Sequence, residues 1–368
     1  MAEYVAGFAP DWISPPGDTI ADLLEEYGWT QAELAKRTGY TLKHINLLIN
    51  GKASITDETA LRLERVLGSV AGFWLNREAR YRERLARDAE EKRFNTWTSW
   101  LDRLPVRELM NAGAITKRRV DTAQKPFIVK DLLRFFGVAS PDEWQTHYEQ
   151  AQLSFRRTRP EQSDTGAISA WLRMGEITAE KTKIPKFDKS KFESSLREVR
   201  KLTILPPDDF EPQLRRYCSE SGVIFVLVPS IPRAHVSGVA RWYAQKTIIQ
   251  LSLYGKTNDK FWFNFFHEAA HLLFHDKNDV FLDEFTGVSL DSPEEREANK
   301  WAGDFLIPPK WIPVLPSLKT RRAVCDFAER IGIHPGIVVG RLQHDEIIDL
   351  AWMNNLKVSF RFREEPVG

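Results

Sequence analysis

Cysteine is nearly missing: Cys218 and Cys325 are the only two in 368 residues, far apart in sequence, and no Cys-x-x-Cys occurs. This excludes a disulfide-rich framework and fits a reducing cytoplasm. Long apolar runs are missing as well, and the opening residues MAEYVAGFAPDWISPP have neither a basic start nor an apolar stretch. The expectation is a cytoplasmic protein that is neither secreted nor embedded in a membrane. No excess of one charge exists, since 52 Lys and Arg against 51 Asp and Glu leave a formal net charge of +1. Any surface for nucleic acid must therefore be local. No internal repeat or low-complexity tract appears. What remains, 42% hydrophobic and 28% charged over a length that suggests two or three domains, is the composition of a globular protein able to bury a sizeable core.

Within one of the most apolar stretches, FWFNFFHEAAHLLFH from Phe261 to His275, stand two histidines and a glutamate. The stretch has no Gly or Pro and reads as a helix, which puts His267 and His271 one turn apart on one face, where two imidazoles can share a metal ion. Glu268, beside the first histidine, is placed to reach a water on the metal and to act as general base. A buried helix with incidental polar residues is the plain alternative. A metal site of this kind needs a third protein ligand and an open fourth position. Downstream, SPEEREANKWAGDFLIPP offers Ser292 as N-cap, Pro293 as first helical residue, and a stop at Pro308 and Pro309. Three glutamates open that helix. Glu295 shares a face with Ala298, Asn299, Ala302 and Leu306 and is the favoured third ligand, while Glu294 and Glu297 remain alternatives that the helix dipole alone would favour. Asn299, one turn later, is the candidate to orient a metal-bound side chain, and His275 extends the histidine stripe in a supporting or surface role.

These residues, His267-Glu268-Ala269-Ala270-His271 followed by Glu295-Arg296-Glu297-Ala298-Asn299 and Phe305-Leu306-Ile307-Pro308, resemble the ImmA/IrrE family of zincin metallopeptidases over roughly residues 206–309. The resemblance implies Zn2+ on His267, His271 and Glu295, with Glu268 as catalytic base: a gluzincin-like zinc metalloendopeptidase whose activity is gated by flanking domains. GVIFVLVP, SGVARWYA and KTIIQLSL read as strands of a small mixed sheet beside the metal helix. KTIIQLSL, Lys246 to Leu253, is expected to be the edge that receives an extended peptide. His235 and Tyr254 are weaker candidates to stabilise an oxyanion.

Near the N-terminus, TIADLLEEYG, TQAELAKRTG, TLKHINLLINGK and TDETALRLERVLG are short amphipathic segments opening on Thr or closing on Gly. Gln31 to Thr38, a turn at Gly39, and Leu42 to Asn50 have helix-turn-helix proportions. From Pro15 to Trp74 the pattern resembles XRE-type, HigA-like antitoxin domains. In the second helix of the pair Leu42 and Leu47 replace the arginines common in such proteins. Gln31, Lys43 and Lys52 are left as phosphate contacts and His44 and Asn46 as base readers, and binding is expected to need a dimer.

The expected organisation is multidomain and mainly α, with an α+β zincin-like part: a five-helix helix-turn-helix domain at 1–80, a helical connector at 81–205, the metallopeptidase domain at 206–315, and a C-terminal helical element at 316–368. The connector opens with NREARYRERLARDAEEKRF, dense in both charges, and holds the basic stretches KRRV, FRRTRPEQSD and EKTKIPKFDKSKF, read as solvated faces, and SDTGAISAWLRMGE, which resembles a stretch of fused regulator-peptidases of this family. The C-terminal element, residues 321–348, is expected to close the metal cleft. Together the resemblances imply a DNA-binding transcription regulator of toxin-antitoxin, prophage or stress-response type, bound to its operator as a dimer, with a zinc peptidase that cleaves a toxin or repressor partner. The alternative is a non-catalytic, antitoxin-like regulator whose metal domain senses or binds that partner.

Overall fold

The computed structural model describes residues 14–156, 164–253, 255–275, 281–284 and 292–362. Tyr254 and part of the basic stretch FRRTRPEQSD lie outside the described residues. By its contacts the chain divides into two compact units, Met1–Trp97 and Thr98–Gly368.

Among the described residues the smaller unit holds five helices: α1 (Pro16–Tyr27), α2 (Gln31–Thr38), α3 (Leu42–Ile49), α4 (Asp57–Leu67) and α5 (Ala71–Thr96). Thr30, Thr41 and Thr56 cap α2, α3 and α4, each hydroxyl accepting from the backbone N–H three residues on. Gly39, at φ 74°, supplies the left-handed residue that turns α2 into α3. Ile20, Leu34, Ala35, Ile45, Leu63 and Trp74 form the core, and the small Ala35 suits a close helix crossing. Beyond Trp74, α5 is largely solvated and carries i,i+4 pairs such as Arg82–Glu78 and Arg87–Glu83, which support the helix only weakly.

The larger unit begins with α6 (Val106–Asn111), α7 (Lys125–Phe136), α8 (Pro141–Arg156), α9 (Thr165–Lys181), α10 (Lys189–Lys201) and α11 (Pro207–Glu220). Strands β1 (Val223–Leu227), β2 (Val236–Tyr243) and β3 (Lys246–Leu251) follow, then α12 (Asn258–Phe274), β4 (Phe281–Glu284), α13 (Pro293–Leu306), α14 (Arg321–Ile331) and α15 (Pro335–His344). The sheet is mixed, in the order β1-β3-β2-β4, with β1 parallel to β3 and the other pairs antiparallel. Helices lie on both faces, which explains strands buried at nearly every position. Val223, Phe225, Ala240, Ile249 and Leu251 pack with Phe261, Trp262 and Phe265 of α12. On the opposite face Gln250 donates to the Trp171 carbonyl at 2.7 Å and Arg241 to the Leu172 carbonyl at 2.9 Å, which fastens α9 to β2 and β3.

Two expectations are corrected here. Lys246–Leu251 is not an edge: β1 and β2 pair with its two sides, so no peptide can add to it. The C-terminal helices do not close the metal end of α12. Gly336 and Gly340 of α15 lie against Asn258 and Asp259 in the first turn of α12, and Lys357 pairs with Asp259 at 2.6 Å. That is two turns and more from His267. Among the described residues no helix is long and apolar enough to cross a membrane.

Candidate metal centre and helix-turn-helix

The aromatic half of α12 anchors it in the core, and its C-terminal half carries His267, Glu268 and His271, all essentially inaccessible. Helix α13 packs along α12. Ser292 caps α13, its hydroxyl accepting from the Glu295 N–H at 3.2 Å, and so sets the first turn in which Glu295 sits. The result is a three-residue cluster. His267 Nε2 and His271 Nε2 are 2.9 Å apart, and the Glu295 carboxylate oxygens stand 3.2 Å from the first and 3.4 Å from the second. His267, His271 and Glu295 form a group able to hold a metal ion, every ligand atom lying within 4.8 Å of the others.

The donor set fits zinc. Ligands about 2.0–2.1 Å from one tetrahedral ion stand about 3.3 Å apart, close to the spacings seen here, and imidazole and carboxylate are ordinary zinc donors. Burial, followed by the neighbouring His267 and His271's other neighbour His275, holds the His271 imidazole well below its usual pKa. It is therefore neutral, the form that offers a lone pair.

Glu268 follows His267 directly in α12 and is fully buried. Its carboxylate lies against Gly238 of β2: a Cβ at that glycine would stand 2.5 Å from Glu268 Oε1. A glycine inside a strand marks such a close approach, and that signal was readable in SGVARWYA. Of the other anticipated residues, His275 ends α12 with Nδ1 2.9 Å from His271 Nδ1. Asn299 is half-buried one turn after Glu295, and no hydrogen bond among the described residues joins it to the cluster. His235 is exposed, with φ 49°. Sequence reasoning missed Gly238, β4, and the contact of Glu297 with His275 at 3.4 Å.

In the smaller unit Lys43 and Lys52 are exposed and Gln31 is half-buried at the start of α2. The His44 ring packs on Tyr40, centroids 4.5 Å apart, and the Asn46 side chain accepts from Asn50 Nδ2 at 3.2 Å. Arg37 and Arg62 are engaged within the unit, Arg37 with Glu33 and over the Trp29 ring, Arg62 with Glu58 and the Thr38 carbonyl.

Comparison with known families meets both units. A helix-turn-helix family model matches residues 20–75, and the peptidase family M78 model, described as "IrrE N-terminal-like domain", matches residues 224–342. The chain joins a helix-turn-helix domain to an IrrE N-terminal-like domain. The helix-turn-helix domain is also similar to the "Uncharacterized HTH-type transcriptional regulator YddM" of Escherichia coli (strain K12), 36% identical over 61 residues, or 17% of this chain. The match spans about 65% of the length of that curated relative. The IrrE-like match takes in β1 through α15, with α12 and α13 inside it. Its family is of metallopeptidase type and implies a metal, typically zinc, and His267, His271 and Glu295 form a group that could hold one.

Proposed function

We propose that the chain is a cytoplasmic DNA-binding regulator with a built-in zinc endopeptidase that cuts a protein partner, of toxin or repressor type. One observation carries the reading: three buried donors from α12 and α13 converge, and the buried carboxylate of Glu268, next to His267 in α12, lies against Gly238 of β2. A pure binding module has no use for that carboxylate.

His267, His271 and Glu295 would hold the ion. Zinc held there would supply Lewis-acid chemistry, polarising the scissile carbonyl and activating the attacking water. Glu268 takes the proton from the attacking water on its carboxylate and returns it to the leaving amine. Gly238 leaves room for that carboxylate, and α12 and α13 keep the donors dry. Chelation is expected to abolish cleavage of the partner and added zinc to restore it, as read by intact-mass spectrometry. Cleavage that persists in a zinc-free, chelated sample would overturn the proposal.

The non-catalytic alternative draws on β4. It pairs with Val236–Ala240 of β2 on the side away from β3, so the strand that carries Gly238 beside Glu268 has both sides taken. A peptide pairing with β2 has to replace β4, which favours a domain that binds its partner without turnover or acts only when opened.

For DNA, Gln31, Lys43 and Lys52 serve as phosphate contacts and His44 and Asn46 as base readers, in a dimer on the operator. Lys43→Ala and Lys52→Ala are each expected to weaken binding to every fragment and to lower the salt slope by about 1. His44→Ala and Asn46→Ala should instead relax preference at one base position, at about 1–3 kcal/mol. Anisotropy titrations on the region upstream of the chain's own gene, across salt concentrations, separate these outcomes. Uniformly weak binding at low salt would assign the domain to protein contacts.

A further inference from the structure

His271 has a second set of neighbours on the side away from the cluster. Its Nε2 faces His267 and Glu295, and its Nδ1 lies 2.9 Å from Nδ1 of His275, one turn later. The other ring nitrogen of His275, Nε2, stands 3.4 Å from Glu297 Oε2 on α13. The line runs outward: the His271 and His275 side chains are 1% and 6% exposed, that of Glu297 59%.

Chemistry fixes its polarity. A neutral imidazole has one N–H and one lone pair, so a His271 whose Nε2 lone pair faces a metal carries its proton on Nδ1. That N–H needs an acceptor, and His275 Nδ1 stands within hydrogen-bond distance of it. With Nδ1 accepting, the proton of a neutral His275 sits on Nε2, the nitrogen facing Glu297. At 3.4 Å this last contact is longer than a typical hydrogen bond, yet the carboxylate charge still favours an N–H there. Each tautomer is thus set by the next group out.

We propose that Glu297 and His275 are positioning residues that lock the tautomer and ring orientation of His271 and so tune metal affinity. The inference rests on reading His267, His271 and Glu295 as metal ligands. It gives the task of orienting a metal-bound side chain to His275 and Glu297 rather than to Asn299. It also gives the first turns of α13 two tasks: Glu295 enters the cluster, and Glu297 reaches back to the end of α12.

The test is zinc affinity of the full-length protein by chelator competition, together with histidine tautomers from long-range 15N correlation spectra, neither of which depends on cleavage. In wild type the expected tautomers are Nδ1–H at His271 and Nε2–H at His275. His275→Ala should weaken zinc binding about 10–100-fold. His275→Asn, whose Oδ1 can accept near the position of Nδ1, should recover most of it. Glu297→Ala, at an exposed site that folding tolerates, should weaken binding a few-fold and shift the His275 tautomer, whereas Glu297→Gln should stay near wild type. Zinc affinity within twofold of wild type in both alanine variants, or a proton on His275 Nδ1, overturns the relay while leaving the ligand assignment intact. Failure of wild type to bind zinc at all overturns the ligand assignment and the relay with it.

Discussion

Glu268→Gln is expected to keep its zinc and to stop cutting the partner protein. Glutamine has the shape of glutamate, so it fills the space that Gly238 leaves open beside the buried position 268. The three donors His267, His271 and Glu295 are untouched, so metal content should not change. What is lost is a group able to accept the proton of the attacking water, and general-base catalysis of this kind contributes about 10²–10⁴-fold. The partner's intact mass, followed over time, reads the chemistry, and elemental analysis of the same sample reads the metal. If wild type and Glu268→Gln leave the partner uncut alike and regulate alike, the peptidase reading fails and a metal-stabilised binding domain remains.

Glu176→Ala should strongly destabilise the larger unit. On the face of the sheet opposite α12, Arg241 Nη1 donates to Glu176 Oε1 at 2.8 Å, Arg173 Nη1 lies 3.2 Å from Oε2, and the Tyr148 hydroxyl donates to Oε2 at 3.2 Å. All three charged side chains are at least nine-tenths buried, and only Arg173 has a second carboxylate, Glu180 at 2.6 Å. Removing Glu176 leaves the Arg241 guanidinium buried without its counter-charge, at a cost of about 3–5 kcal/mol. Arg241 joins β2 to α9, so the loss should also loosen the strand that carries Gly238. Urea unfolding of wild type and variant, following the transition of the larger unit, measures the cost. A midpoint unchanged by the substitution would mean that water reaches Arg241 and that the network is not the fastening it looks to be.

Much of the candidate metal centre's geometry was legible because its spacings are local. His267 and His271 are four residues apart on one helix, and Ser292 with Pro293 announces the helix start that places Glu295. The three longer strands were legible from β-branched runs, but their order was not. That β3 lies between β1 and β2 depends on a parallel crossover through space that no run of residues encodes. The short strand Phe281–Glu284 is too brief and polar for periodicity to reveal, and it is the element that covers β2. Arg173 and Glu176, in SDTGAISAWLRMGE, gave no sign of burial, because their partners Tyr243 and Arg241 come 70 and 65 residues later. Gly238 was readable in principle as a glycine within a strand, but not what approaches it.

The family match covers β1 through α15, yet the claim on which everything else depends is that His267, His271 and Glu295 together hold one ion. Elemental analysis of the full-length protein, purified at neutral pH beside its variants, addresses this directly. The account predicts about one zinc per chain in wild type and essentially none in a His267→Ala, His271→Ala double variant that folds as wild type does. It predicts marked loss in Glu295→Ala and retention under saturating zinc in Glu297→Ala. Stoichiometric zinc in the double histidine variant, or zinc lost with Glu297→Ala but kept with Glu295→Ala, would contradict it.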